Sequence, residues 1–222
     1  MSAESRGEFT RARRPPTDPP RHRLPSGAYE QRAHLLRVAR ELLDTHGAGA
    51  VSLERIGAFA GLPAPLVRGI FINDEQCLAE LHEAASGELA VAMQRAYARE
   101  QHWQEAVRAA LHELLALMDA EPNVARFLVV EALRGGPELF AQRSRRISEL
   151  AAAFDEYRPR PSPELLPAPF GAEAVVGTVV AVLHGRLLEH QRPPLVAHIG
   201  PLMGMLITPY LGATAAREEL VR

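Results

Sequence analysis

Three residues at fixed spacing constrain this chain more than any other feature: Gly57, Gly61 and Val67, inside the stretch SLERIGAFAGLPAPLVRGIF at 52–71. Two short helices joined by a tight turn need a small residue where they touch, a residue tolerant of positive φ in the turn, and an apolar anchor on the second helix. These positions supply all three in that order. Ile56, Ala60 and Leu62 fill the flanking core sites, Ser52 stands as an N-cap, and Glu54 sits in a first turn, where the helix dipole favours negative charge. The spacing predicts a helix-turn-helix whose first helix is buried through Leu53, Ile56 and Phe59 and whose second begins near residue 63. Pro63 and Pro65 do not forbid that second helix, because the N–H groups of a first turn have no intrahelical partner.

Helical periodicity extends in both directions. Leu35, Val38, Ala39, Leu42 and Leu43 fall on one face of a helix over 28–46, which Gly47 and Gly49 end. Asn73 with Gln76 reads as a capping box opening a helix over 74–99. Further helices are expected over 103–119, 122–134, 137–158, 171–191 and 194–210, with a breaker-rich loop at Pro159, Pro161, Pro163, Pro167 and Pro169. No segment after Tyr29 reads as a strand. The expectation is an all-α chain: residues 1–27 as a disordered basic arm, 28–73 as a three-helix unit with the helix-turn-helix, and 74–222 as a larger helical domain.

Composition narrows the possible chemistry. The net charge is −2, every one of the 25 basic residues is arginine, and only residues 1–32 are basic, with seven arginines against four acids. Any phosphate contact must therefore come from arginine or from the backbone, and the arm is the natural place for it. The single Cys77 excludes an internal disulfide and a multi-cysteine metal site. There is no HExxH, no Gly-rich phosphate loop, and no histidine near Cys77 to activate it, so no enzyme, metal or cofactor is expected. No uninterrupted apolar run reaches about 18 residues and the Arg/Pro-rich start lacks a signal core, which reads as cytoplasmic with no membrane partner.

The stretch RAHLLRVARELLDTHGAGAVSLERIGAFAGLPAPLVRGIFINDEQCLAELHE at 32–83, with Gly47, Ser52, Ile56, Ala60, Gly61, Phe71, Glu75 and Leu78 in that order, resembles the DNA-binding domain of the TetR family of bacterial transcription regulators. The ending GMLITPYLGATAA is similar to the last dimerisation helix of some members. The resemblance implies a homodimeric regulator, by default a repressor, that leaves double-stranded operator DNA when a small molecule binds its helical domain. It also exposes departures. Pro63, Ala64, Pro65, Arg68 and Ile70 stand where the family usually offers a small polar residue or Lys, then Tyr and His, and Asp74 replaces a common Lys. An alternative is therefore a ligand- or protein-binding module of the same fold that has lost specific DNA binding.

Candidate sites follow from these readings. Ala64, Pro65, Leu66 and Arg68 would face the groove, with Arg68 suited to a guanine edge or a phosphate. Ser52, Arg32 and Arg55 would meet phosphates, and Arg11, Arg13, Arg14, Arg21 and Arg23 of the arm would track the backbone or enter a minor groove. Tyr97, Trp103, His112, Met118, Phe127, Phe140, Phe154 and His184 would border a cavity for a mainly apolar effector. The helices near 171–191 and 194–210 would form the homodimer interface. Val175, Val176, Val179, Val180, Leu183 and Leu187, then Leu195, Val196, Ile199, Leu202, Met203 and Leu206, carry more apolar surface than a small monomer easily buries. Gly177 and Gly185 would allow close approach.

Overall fold

The structure, a computed structural model, describes residues 27–157, 171–189 and 193–222. Its helices are α1 Ala28–His46, α2 Leu53–Ala60, α3 Ala64–Arg68, α4 Asp74–Tyr97, α5 Trp103–Ala120, α6 Pro122–Val129, α7 Pro137–Tyr157, α8 Ala172–Leu188 and α9 Ile199–Leu220. Single 3₁₀ turns stand at Ala48–Ala50, Glu131–Leu133 and Leu195–His198. No strand occurs among the described residues. The all-α architecture holds, with a helix-turn-helix at one end and a larger helical domain behind it.

The caps are where the sequence places them. Gly47 closes α1 at φ 79° with its N–H on the Leu43 carbonyl. The Arg55 N–H donates to Ser52 Oγ at 3.3 Å. The Gln76 N–H donates to Asn73 Oδ1 and the Ile72 N–H donates to Gln76 Oε1, both at 2.8 Å, so the box at the start of α4 closes one residue earlier than the usual pattern. One buried cluster runs from Leu35 in α1 through Phe71 and Leu115 to Ile207 in α9.

Four expectations need correcting. Phe59 is 44% exposed: it lies on the solvent side of α2, and Leu53, Ile56, Gly57 and Ala60 alone form the buried face. The helix expected over 122–134 stops at Val129, and a 3₁₀ turn at Glu131–Leu133 leads to Gly135 and Gly136, where φ reaches +94°. The segment read as 194–210 opens as a 3₁₀ turn because Asp119 of α5 accepts the Leu195 and Val196 N–H groups at 2.9 and 3.1 Å. It also continues past 210.

α9 is not one rod. Gly212 adopts φ 82°, ψ 176°, and the chain doubles back, so that a Cβ on Gly200 would lie 2.7 Å from the Glu219 carbonyl oxygen. In a continuous helix those residues would stand about 28 Å apart. Residues 195–220 have a mean hydropathy of 1.4 over their most apolar window, enough by composition to cross a bilayer. The fold-back leaves each arm too short for that, since a span needs about 20 residues. Glu219, 1% exposed, anchors the returning arm by accepting hydrogen bonds from Arg108 and Gln104 of α5.

The apolar residues expected at a dimer interface are mostly buried within the chain itself. Val175, Val176, Val179, Leu183, Leu187, Leu195, Leu202, Met203 and Leu206 are each at most 8% exposed. Helices α5, α6 and α7, packed against α8 and α9, cover that surface.

Candidate nucleic-acid interface and effector cleft

The turn between α2 and α3 follows from its glycines. Gly61 takes the left-handed conformation at φ 68°, which a Cβ would strain. A Cβ on Gly57 would meet the Leu62 carbonyl oxygen at 3.1 Å and Val67 Cγ2 at 3.2 Å, so the close approach of α3 requires a small residue there. Val67 and Ile56 are fully buried beneath the turn. Pro63 caps α3, and Pro65 occupies its first turn without breaking it.

α3 therefore presents Pro65, Leu66 and Arg68 outward, with Ala64 half-buried. Leu66 is 50% exposed. Arg55 on α2 and Arg68 on α3 are exposed and have no carboxylate partner among the described residues. Arg32 is differently placed. Its guanidinium makes a bidentate pair with Glu80 of α4, with Nε at 2.7 Å, donates to the Ile70 carbonyl at 3.0 Å, and lies 4.9 Å over the Phe71 ring. The hydrogen bond to Glu80 raises its pKa above the usual arginine value. Arg32 thus fastens α1 to α4 and to the end of α3, with three of its five N–H donors committed there. Arg11, Arg13, Arg14, Arg21 and Arg23 lie outside the described residues.

The start of α2 is also occupied. The Ser52 hydroxyl accepts the Arg55 N–H, and the Leu53 N–H donates to Asp74 Oδ1 at 2.8 Å across 21 residues. Ser52 therefore serves as a helix cap, and the phosphate role expected for it meets a carboxylate already in place. Local sequence spacing gives no signal of that contact, because its two members belong to different helices.

A cleft of about 150 Å³ opens where α1 meets the larger domain. Ala85 and Leu89 of α4, Leu117 and Met118 of α5, and Val124 and Leu128 of α6 make it apolar, with Arg40, Glu88 and Glu121 at its rim. Arg40 of α1 donates to Asp44 at 2.9 Å, to Glu88 at 3.2 Å and to Glu121, joining three helices. The volume suits a benzene-sized group. Of the eight residues expected around an effector, only Met118 lines this cleft. Trp103, Phe154 and Tyr210 pack on one another with ring centroids 5.5–5.8 Å apart, as a core triad joining α5, α7 and α9. Phe127, 1% exposed, meets His82 edge-on at 5.8 Å. Tyr97 is half-buried against the same core. His112 and Phe140 are exposed, and His184 is half-exposed.

His82 was not among the residues singled out, though it is the polar group most thoroughly enclosed by α4, α6 and α7. It is 2% exposed, neither ring nitrogen makes a well-formed hydrogen bond, and burial lowers its pKa to about 4. Cys77 is buried too, and burial pushes its thiol up to about 12, which leaves it unreactive near neutral pH.

The chain carries a helix-turn-helix at one end of a larger helical domain. No protein-family model and no curated protein matches the sequence. Solved structures do match. The fatty acid degradation regulator FadR from Bacillus halodurans superposes with a TM-score of 0.64 at 16% identity, covering 79% of this chain and 94% of that one. FadR from Bacillus subtilis, solved with stearoyl-CoA, gives 0.63 at 15% identity over 80% and 98%. The TetR family repressor AlkX from Dietzia gives 0.51 at 16% over 84% and 97%. The chain has the TetR-family regulator fold.

Proposed function

We propose that this protein is a homodimeric transcription regulator that binds double-stranded operator DNA and is released from it, as a repressor, by a small, mainly apolar effector. Residues 28–73 would be the DNA-binding unit and 74–222 the effector and dimerisation domain. The observation that carries the reading is the α2–Gly61–α3 turn, which holds Pro65, Leu66 and Arg68 outward from a fully packed base. Ala64 at the edge of that face, Arg55, and the arm arginines would complete the contact. The arm would supply most of the backbone attraction, because the fold from 27 to 80 holds only five arginines against seven acids. Removing residues 1–24 is expected to weaken binding at least tenfold and to flatten its salt dependence, read by fluorescence anisotropy. Unchanged affinity would remove the arm from the account.

The apolar cleft beside Arg40 supports the effector reading, since a ligand there would press on a side chain that joins α1, α4 and the start of α6. The Bacillus subtilis FadR was solved with stearoyl-CoA, whereas the cleft of about 150 Å³ here would take only a much smaller apolar group. For the dimer, the exposed face of α8 offers Thr178, Ala181, Gly185 and Leu188, and that of α9 offers Pro201 and Met205. A Cβ on Gly177 or Gly185 would meet nothing within 4 Å, which leaves room for a partner helix. Gly185→Glu is expected to turn a dimer into a monomer in sedimentation. A wild-type monomer at micromolar concentration would contradict this assembly.

A second reading has its own support. The carboxylate that Asp74 of α4 places against the start of α2 and the apolar α3 face both disfavour a phosphate backbone, as expected of a sensor or protein-binding module that no longer reads DNA.

A further inference from the structure

In a helix-turn-helix the first helix of the pair crosses the sugar–phosphate backbone. The free N–H groups at its start are natural phosphate donors. Here two of the four are taken. Leu53 N–H is bound by Asp74 Oδ1 at 2.8 Å and Arg55 N–H by Ser52 Oγ at 3.3 Å, while the Ile56 N–H already bonds the Ser52 carbonyl at 2.8 Å within the helix. Of the four unpaired donors of this helix start, the Ser52 and Glu54 N–H groups remain, and Glu54 adds a second exposed carboxylate to the same turn. Asp74 is itself exposed, and no cation pairs with it among the described residues. Its position is fixed from two sides, because it opens α4 behind the Asn73 cap while its oxygen reaches the start of α2.

We propose that Asp74 is an internal stand-in for a DNA phosphate: it fills the backbone-contact position of α2 and sets the DNA affinity of the folded core low. The inference rests on the DNA-binding reading above and adds to it the residue that limits affinity. Two consequences distinguish it from a purely structural cap. The carboxylate satisfies a helix donor, a role that asparagine performs equally well. It also repels every phosphate brought near it, whatever the base sequence, and asparagine does not.

The test is Asp74→Asn in the full chain, measured by anisotropy against a labelled duplex from the region upstream of this protein's own coding sequence and against a scrambled duplex. Glu100→Gln serves as the control, since α4 spans 24 residues, about 36 Å, between Asp74 and that end of the molecule. Asp74→Asn is expected to tighten binding to both duplexes about five- to tenfold near 0.1 M salt. The log–log salt slope should change by less than the roughly 0.9 of a full phosphate contact, because a repulsion is removed and no cation is added. Glu100→Gln should leave both unchanged. Equal or weaker binding by Asp74→Asn to both duplexes, with the wild-type melting temperature retained, would overturn the proposal. The ratio between the two duplexes tests the regulatory reading separately. A gain common to both with no selectivity upholds Asp74 and sinks sequence-specific regulation, and the absence of any binding by either protein sinks both.

Discussion

On its inner side the helix-turn-helix is filled position by position: Ile56, Val67 and Phe71 are wholly enclosed, and Gly57 lets the two helices close to van der Waals contact. On its outer side α3 offers one cation and a proline- and leucine-lined face. The domain from α4 to α9 has the opposite emphasis. Its helix crossings are fastened by polar contacts between distant residues, with Arg108 on Glu219, Arg146 on Glu83 and the Asp119 carboxylate on two N–H groups. The contrast teaches that the residues holding a helix-turn-helix shape and those that would meet a partner on its outer face are separate sets, so one can be kept while the other drifts.

The strongest way to break that comparison is in the core of the small unit. Phe71→Ala is expected to cost about 3–5 kcal/mol, whereas Leu66→Ala on the outer face of α3 should cost less than about 1 kcal/mol, read from urea midpoints. Similar costs would mean that the outer face is packed as well. In the larger domain, Glu219→Ala should cost about 3 kcal/mol, because it strands Arg108 beneath the returning arm of α9. Arg222→Ala, at the exposed end of the same network, should leave the urea midpoint essentially unchanged.

Acid sharpens the comparison next. Burial holds His82 near pKa 4 against an ordinary 6.5, so the unfolded chain takes up a proton that the folded one refuses. The fold is free of this penalty above about pH 6.5 and loses stability as the pH falls from there toward 4. At pH 5 the loss should be roughly 2 kcal/mol, and His82→Leu should remove that part of the pH dependence. A wild-type midpoint that ignores pH between 7 and 5 would place His82 in water. The smallest effect on stability belongs to Arg68→Ala, under about 0.5 kcal/mol, while the same change should weaken DNA binding by roughly tenfold.

The helix-turn-helix was legible because its requirements are local. Gly57, Gly61 and Val67 meet within eleven residues, and caps such as Ser52 and Asn73 act three residues away. The fold-back at Gly212 was not, since a glycine after PYL reads equally well as a plain helix end, and only the approach of Gly200 to Glu219 reveals the return. Asp74 on Leu53 and Arg32 on Glu80 are likewise invisible in spacing, because each joins two helices whose relative placement depends on the whole core. The effector candidates were chosen as large side chains on apolar helices, a criterion that core packing satisfies as readily as a cavity does. Trp103 and Phe154 accordingly went to the core triad, and Met118 alone to the cleft. The valines and leucines of α8 and α9 named for an interface are buried by their own chain, since periodicity reports that a face is buried and not whether its own chain or a second copy buries it.

The account stands most directly on a salt titration of the wild-type protein with the duplex upstream of its own coding sequence, set against a scrambled duplex. It predicts tighter binding to the first and an affinity for both that falls with salt at a slope of about 0.9 per phosphate contacted. Equal, weak binding to the two duplexes at every salt concentration would contradict it and leave the fold as that of a sensor without an operator.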